Sequence, residues 1–303
     1  MYIKHMIQEL IPLTRPRTLA AALGPVLLGA SFSYYAFGAA HGTALAVFHT
    51  VLIFLAVVSA QIIANMWNEY ADFKSGLDHG QKVGNAGSIT RGAMSPTLIM
   101  RLIKTVMIVP IVIGLYLSAT ITWYYLPVGM MCILISFLYS GGPKPISRTP
   151  FGELSSGIAM GLAIVLITGY AWTRELSWAL LIPGIPSTLL VGSIMLTNNI
   201  RDIKNDESHG RRTLPIVLGR DKALHLMSIC YIFNFLWVIA WIIVGHMTWF
   251  SLLALLAAPL AFKTVYTLDT YVDEFQLDKA MGTTAGAAMI YQIIWSVGLI
   301  IGK

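Results

Sequence analysis

Charge is what this sequence has least of. Only 11% of its 303 residues are Asp, Glu, Lys or Arg, against about 25% in an average soluble domain. With 56% hydrophobic residues and a mean hydropathy of +0.72, the chain cannot be an ordinary water-soluble globule. Cysteine is scarce as well. Cys132 and Cys230 both fall inside apolar runs, which excludes a disulfide framework or a cysteine-based metal site and leaves two small core residues. A cleavable leader is not expected, because the first apolar run does not end in a small-residue cleavage site. Nor is there a polar stretch long enough for a separate soluble domain. The net charge of +6 is no nucleic-acid footprint, since membrane proteins collect Lys and Arg in cytoplasmic loops.

What the chain does have is a series of apolar runs near membrane-spanning length. They predict an all-α, polytopic membrane protein with nine transmembrane helices, at about 17–37, 44–67, 98–118, 123–140, 153–172, 177–199, 224–245, 248–267 and 282–302. The basic residues test this division. With nine spans, only Arg174 and Lys303 of the 20 Lys and Arg fall opposite the N-terminus. The N-terminus is therefore expected in the cytoplasm and the C-terminus outside. Residues 1–303 read as one domain, with a faint suggestion of two four-helix halves at about 1–140 and 141–268 and a ninth helix beyond.

Two polar stretches interrupt this apolar pattern. The first is Asn65-Met-Trp-Asn68-Glu-Tyr-Ala-Asp72-Phe-Lys-Ser-Gly-Leu-Asp78, at the end of the second run. If the helix continues this far, Asn65, Asn68 and Asp72 share one side of its last turns. Gly76 would stop the helix and leave Asp78 on the loop. The second stretch is Asn198-Asn199-Ile-Arg201-Asp202-Ile-Lys204-Asn205-Asp206, continuing to Gly210-Arg211-Arg212-Thr213. Asp202 and Asp206 repeat the four-residue spacing. Both stretches end even-numbered spans, so both belong to the cytoplasmic face. Carboxylate and amide oxygens are hard donors suited to Mg²⁺, and an acidic residue at a membrane helix is a functional candidate by default. Alternatively, each pair simply solvates a helix end.

Neighbouring segments carry the same double reading. The loop 73–97 holds Gly76, Gly80, Gly84, Gly87 and Gly92 with Lys74, Lys82 and Arg91; it is either an anion-binding cap or merely flexible. Tyr139-Ser-Gly-Gly-Pro-Lys144 and Arg148 either grip a phosphate group or supply ordinary flanking charge. Asp269, Asp273, Glu274 and Asp278 show similar acidic spacing without asparagines and read as a solvated loop. His79 and His209 read as plain loop residues. Trp67, Tyr139, Trp172 and Trp178 suit interfacial belts as well as an aromatic lining.

With these residues in view, the chain resembles the UbiA-type intramembrane prenyltransferases. The likeness rests on Asn68-Glu-Tyr-Ala-Asp72 with Asp78, on Asp202-Ile-Lys-Asn-Asp206 with Gly210, Thr213-Leu214 and Leu218-Gly219, and on nearly the full length. Glu69 departs from the Asp frequent in the family and keeps the carboxylate. Thr14-Arg15-Pro16-Arg17-Thr18-Leu19, the whole of Asn68 to Asp78, Tyr139-Ser-Gly-Gly-Pro and Asn198-Asn-Ile-Arg-Asp202 are most similar to the branch that prenylates 1,4-dihydroxy-2-naphthoate. The resemblance implies helices around a central cavity open to the cytoplasmic face. It implies transfer of a polyprenyl group from polyprenyl diphosphate to an aromatic acceptor, with two Mg²⁺ ions. Asn68 and Asp72 would hold one ion, and Asp202 and Asp206 the other. Asp72, Asp78, Asp202 and Asp206 would be catalytic, Asp78 by orienting or deprotonating the acceptor. Arg91, Tyr139, Lys144, Arg148, Asn199, Arg201 and Lys204 would contact substrate. The expected partners are the two substrates and the lipid bilayer, with no nucleic acid and no obligate protein partner, in a bacterial or archaeal inner membrane. Two alternatives stay open: a sister enzyme for another acceptor (4-hydroxybenzoate, homogentisate, haem, a chlorophyllide or a glycerol-phosphate lipid), and an ion-coupled transporter, whose sites sit nearer the midplane.

Overall fold

A computed structural model describes residues 9–76, 87–271 and 274–303, and among them there are helices and no strands. The longer helices are α1 (Pro16–Phe37), α2 (Thr43–Lys74), α3 (Pro96–Thr120), α4 (Tyr125–Ser140), α5 (Gly152–Thr173) and α6 (Trp178–Arg201). Two short helices follow, α7 (Ile203–Ser208) and α8 (Leu214–Leu218), then α9 (Arg220–Ile243), α10 (Trp249–Thr270) and α11 (Glu274–Ile301). Seven of these are long and apolar enough to cross a bilayer. Two shorter apolar helices, Ala22–Phe37 and Tyr125–Ser140, lie where two more spans are expected.

Sequence explains the ends. Ser95 accepts a hydrogen bond from Leu98 N–H, and Pro96 takes the first turn of α3, where a missing N–H is harmless. Ser177 and Thr248 cap the starts of α6 and α10 in the same way. Within the helices, hydroxyls are satisfied locally: Thr50, Ser59, Ser118, Ser136, Ser193, Ser228 and Ser296 each donate to the carbonyl four residues back. That keeps polar atoms paired in a medium without water. Exposed Trp123 and Tyr124 stand just before the start of α4, and exposed Trp178 and Trp249 at the starts of α6 and α10, positions that suit interfacial aromatics. Trp172 is not among them; it is buried and donates to Thr50 Oγ1 at 2.8 Å. Both cysteines are free and half-buried.

The chain divides into two compact units. One comprises Met1–Leu19 and Phe54–Arg148. Its core gathers Leu13, Ile63, Met66, Ile89, Met94, Ile99 and Ile103. The indole of Trp67 ties α2 to α4 by donating to Phe137 O at 2.9 Å. That contact needs a glycine at 141, where a Cβ would lie 2.7 Å from the Trp67 ring.

The other unit comprises Ala20–Ile53 and Thr149–Lys303. α6 is its central element, buried on most sides and packed on α5, α9 and α11, with Ser187, Ser193, Thr197 and Asn199 buried among its apolar side chains. α5 approaches α6 closely because Gly157 and Gly161 carry no side chain; a Cβ on either would sit within 2.6 Å of the Thr188 backbone. Gly161 lies in a π-helical turn, Ile158–Leu162, which shifts the register of α5 just beyond Glu153.

Candidate functional site

α2 runs unbroken to Lys74, so Asn65, Asn68 and Asp72 do occupy successive turns of one helix. Ser75 and Gly76 then close it with bonds to Ala71 O and Phe73 O, and Gly76 adopts φ 75°, a conformation glycine tolerates best. Asn65, Glu69 and Asp72 are all buried, and Asn68 is half-buried. The Asn65 amide donates to Thr14 O at 2.8 Å. Asp78, His79 and Lys82 lie outside the described residues.

Glu69 has a role the sequence does not reveal. Its Oε1 accepts bonds from the backbone N–H of Ser88 and of Ile89, at 2.6 and 3.2 Å. The described end of the glycine-rich loop does close its amides around an anion, but the anion is the protein's own carboxylate. Glu9 holds the same segment from the other flank, accepting from Ser88 Oγ at 3.2 Å and from Arg91 Nη2 at 2.7 Å. Arg91 thus reaches its predicted loop already paired. Tyr139 is half-buried at the end of α4, Lys144 is exposed in the following turn, and Arg148 closes a short 3₁₀ turn, Ile146–Arg148.

The second stretch departs from a continuous helix. α6 ends at Arg201, and Asp202 (φ −96°, ψ 7°) makes a bend before α7. Hydrogen bonding survives on both sides, from Asp202 N to Asn198 O and from Asp206 N to Asp202 O. The cause is visible in Arg201, which folds back along its own helix. Its guanidinium takes both oxygens of Asp202 at 2.8 Å and Asn198 Oδ1 at 2.7 Å, a fork that only arginine presents. Asp278 completes the group at 3.6 Å from Arg201. This corrects the reading of Asp278 as part of a solvated acidic loop: it neutralises an arginine side chain that is only 5% exposed. Asp206 is buried and receives Arg211 Nη1 at 3.3 Å. Lys204 is exposed on α7. His209 is exposed, with Nδ1 2.8 Å from Asn205 O, in keeping with a plain loop residue.

Asn199, one turn before Asp202, points to a residue that sequence reasoning passed over. Its amide donates to Glu153 Oε1 at 2.8 Å, and both side chains are buried. A single acid beside a basic stretch looks like flanking charge. The available signal was its isolation, since Glu153 is the one acidic residue between Asp78 and Glu175.

Each pair, Asn68 with Asp72 in one unit and Asp202 with Asp206 in the other, carries oxygen donors of the kind a hard divalent cation takes, and Asp72 and Asp206 are buried. Among the described residues no group of three His, Cys, Asp or Glu side chains converges.

Comparison with known proteins agrees with this chemistry. The chain is 36% identical over 308 residues to a 1,4-dihydroxy-2-naphthoate octaprenyltransferase of Bacillus subtilis, covering 98% of this chain and 94% of the relative. A UbiA homologue of Aeropyrum pernix shares the fold with a TM-score of 0.68 at 19% identity, covering 93% of this chain and 97% of that one. A homologue from Archaeoglobus fulgidus, solved with GPP and Mg²⁺, matches with a TM-score of 0.61 at 16% identity, covering 95% and 99%. The sequence profile of the UbiA prenyltransferase family spans residues 22–291, from α1 to the middle of α11 and across both oxygen-rich helix ends. The chain belongs to the UbiA prenyltransferase family.

Proposed function

We propose that this protein transfers a polyprenyl group from polyprenyl diphosphate to 1,4-dihydroxy-2-naphthoate, with loss of CO₂, giving demethylmenaquinone in its reduced, quinol form. The observation that carries this reading is the near full-length 36% identity to the Bacillus subtilis octaprenyltransferase. It is supported by buried Asp72 near the end of apolar α2 and buried Asp206 in short α7, which follows apolar α6.

The chemistry assigns each group a task. An allylic C–O bond ionises only if the charge growing on the diphosphate is met by cations already in place. Divalent metal, when bound, supplies that neutralisation. Asn68 and Asp72 would hold one ion, and Asp202 and Asp206 a second. Arg91, Lys144, Arg148 and Lys204 bind diphosphate oxygens, and Tyr139 adds a hydroxyl. Arg91 leaves Glu9 to do so. Arg201 and Asn199 hold the second motif in shape, and Asp78 orients the acceptor. The prenyl tail lies among apolar helix faces, and the electron-rich ring attacks its C1 as the C–O pair departs on the diphosphate.

The topology follows from charge. All nine apolar helices cross the inner membrane as one prenyltransferase domain, N-terminus in the cytoplasm and C-terminus outside. The central cavity opens near the cytoplasmic face, where the basic residues are concentrated.

The test combines the protein in nanodiscs with 1,4-dihydroxy-2-naphthoate, a radiolabelled polyprenyl diphosphate and Mg²⁺, alongside Asp72→Ala and Asp206→Ala. Lipid-soluble demethylmenaquinone that disappears with EDTA and in both variants is the expected result. Prenylation of 4-hydroxybenzoate instead would overturn the acceptor assignment. Intact diphosphate with every acceptor would overturn the enzyme reading.

A further inference from the structure

Two segments of the first unit meet at the last turns of α2. One is residues 9–14, whose Leu10 and Leu13 join the core that holds Ile89 and Met94 and whose Thr14 O takes the Asn65 amide at 2.8 Å. The other is residues 88–91, seated against α2 by the two backbone N–H groups that Glu69 accepts. Glu69 stands one residue from Asn68 and three from Asp72, so Arg91 is brought to the helix end that carries the first motif. Glu9 joins the two segments. Its Oε2 accepts both Ser88 Oγ, at 3.2 Å, and Arg91 Nη2, at 2.7 Å.

The two carboxylates on this loop are not equivalent. Glu69 is 2% exposed, and the Ser88 and Ile89 N–H groups it accepts are buried with it. Releasing them would strand donors away from water, so that tie is permanent. The Glu9–Arg91 pair joins a side chain 18% exposed to one 49% exposed. Water reaches both partners when they separate, and a pair of this kind is easily broken. A diphosphate offers the same guanidinium several anionic oxygens in the geometry that arginine takes best, where Glu9 offers one. Glu9 and diphosphate are therefore rivals for one cation.

We propose that Glu9 is a positioning residue that parks Arg91 near the first motif and gives it up when a prenyl diphosphate binds. This rests on the function proposed above, in which Arg91 contacts diphosphate oxygens. Breaking the Glu9 pair offsets part of the attraction between Arg91 and diphosphate. Once Arg91 has moved, Glu9 no longer touches it, so the pair weakens ground state and transition state equally. Its removal changes KM and leaves kcat alone. A fixed strut predicts the opposite sign, because loosening residues 88–91 would weaken diphosphate binding.

The experiment compares Glu9→Gln, Arg91→Ala and the double variant with wild type in nanodiscs. Glutamine keeps the length of Glu9 and can still accept from Ser88, so the variant loses the charge and little of the packing. One measurement is binding of radiolabelled polyprenyl diphosphate with Mg²⁺ and no acceptor. The other is KM and kcat with 1,4-dihydroxy-2-naphthoate present. Glu9→Gln is expected to lower Kd and KM for the diphosphate roughly 1.5–5-fold, the range that an exposed ion pair supplies, with kcat unchanged. In the Arg91→Ala background Glu9→Gln should alter neither. Unaltered or weaker binding in Glu9→Gln would overturn the assignment and make the pair a fixed strut. So would a gain that persists without Arg91, which is the general effect of removing a negative charge. The binding arm separates this from the reaction itself. Tighter binding in Glu9→Gln by a protein that makes no product would refute the reaction and uphold the exchange at Arg91, whereas a wild-type protein that binds no diphosphate would refute both.

Discussion

Gly161→Ala tests whether the α5–α6 crossing positions the second motif. The ideal Cβ at 161 lies 2.6 Å from both N and Cα of Thr188. Ordinary contact begins at 3.4 Å, so the helices must part by about 0.8 Å, and because the clash is with backbone no rotamer change relieves it. Carried through to Glu153 and Asn199, that displacement stretches their 2.8 Å hydrogen bond to about 3.6 Å, beyond useful range. Overpacking of this kind costs about 1–3 kcal/mol, which for a chain of this size lowers Tm by roughly 2–5 °C. The assay is a fluorescence-monitored melt in detergent, paired with the rate of demethylmenaquinone formation. Gly129→Ala is the control: a Cβ there meets nothing within 4 Å, and alanine favours the helix by about 0.5–1 kcal/mol. If Gly161→Ala melts and turns over like wild type, the crossing is not what sets the site, and the reasoning from packing to Glu153 fails.

Two further predictions concern how the motifs are held. Glu69→Ala leaves the buried N–H groups of Ser88 and Ile89 without their acceptor, a loss of about 1–3 kcal/mol. Trypsin should then cut at Arg91 several-fold faster than in wild type, and equal cutting rates would show that Glu69 does not secure the loop. Arg201→Lys replaces a two-pronged donor by a point charge that cannot bridge Asp202, Asn198 and Asp278 together. A double-mutant cycle of Arg201→Lys with Asp202→Asn should return a coupling of about 0.5–3 kcal/mol in melts; additive losses would mean the pair acts only as solvated charge.

Much of the fold was legible because the bilayer restricts the choices. Helix positions followed from run length, and the seven long apolar helices fall where apolar runs predicted them. The first motif was legible for a related reason. Nothing between Leu45 and Lys74 breaks a helix, so spacing translated directly into one face. The second motif has the same spacing but not the same geometry. The bend at Asp202 arises from the contact of Arg201 with its own neighbour, and periodicity is blind to a side chain that folds back on its backbone. Glu9, Glu153 and Asp278 were missed for one common cause. Each is paired with a residue 46 to 82 positions away in Asn199 and Arg91, or 77 away in Arg201, and no local pattern reports such a partner.

The distinction between the two motifs bears on how charge is kept in an apolar protein. In the second unit Arg201 is matched by Asp202 and Asp278, and Arg211 by Asp206. Truncating one partner of a buried pair leaves the other charged and unmatched, typically a loss of about 3–5 kcal/mol. Asp202 is no idle carboxylate, since Arg201 holds it through two hydrogen bonds. Asp278 lies 3.6 Å from the same arginine, so the guanidinium keeps a second carboxylate beside it, and an acid that spacing alone had assigned to solvent shares in neutralising a side chain that is only 5% exposed.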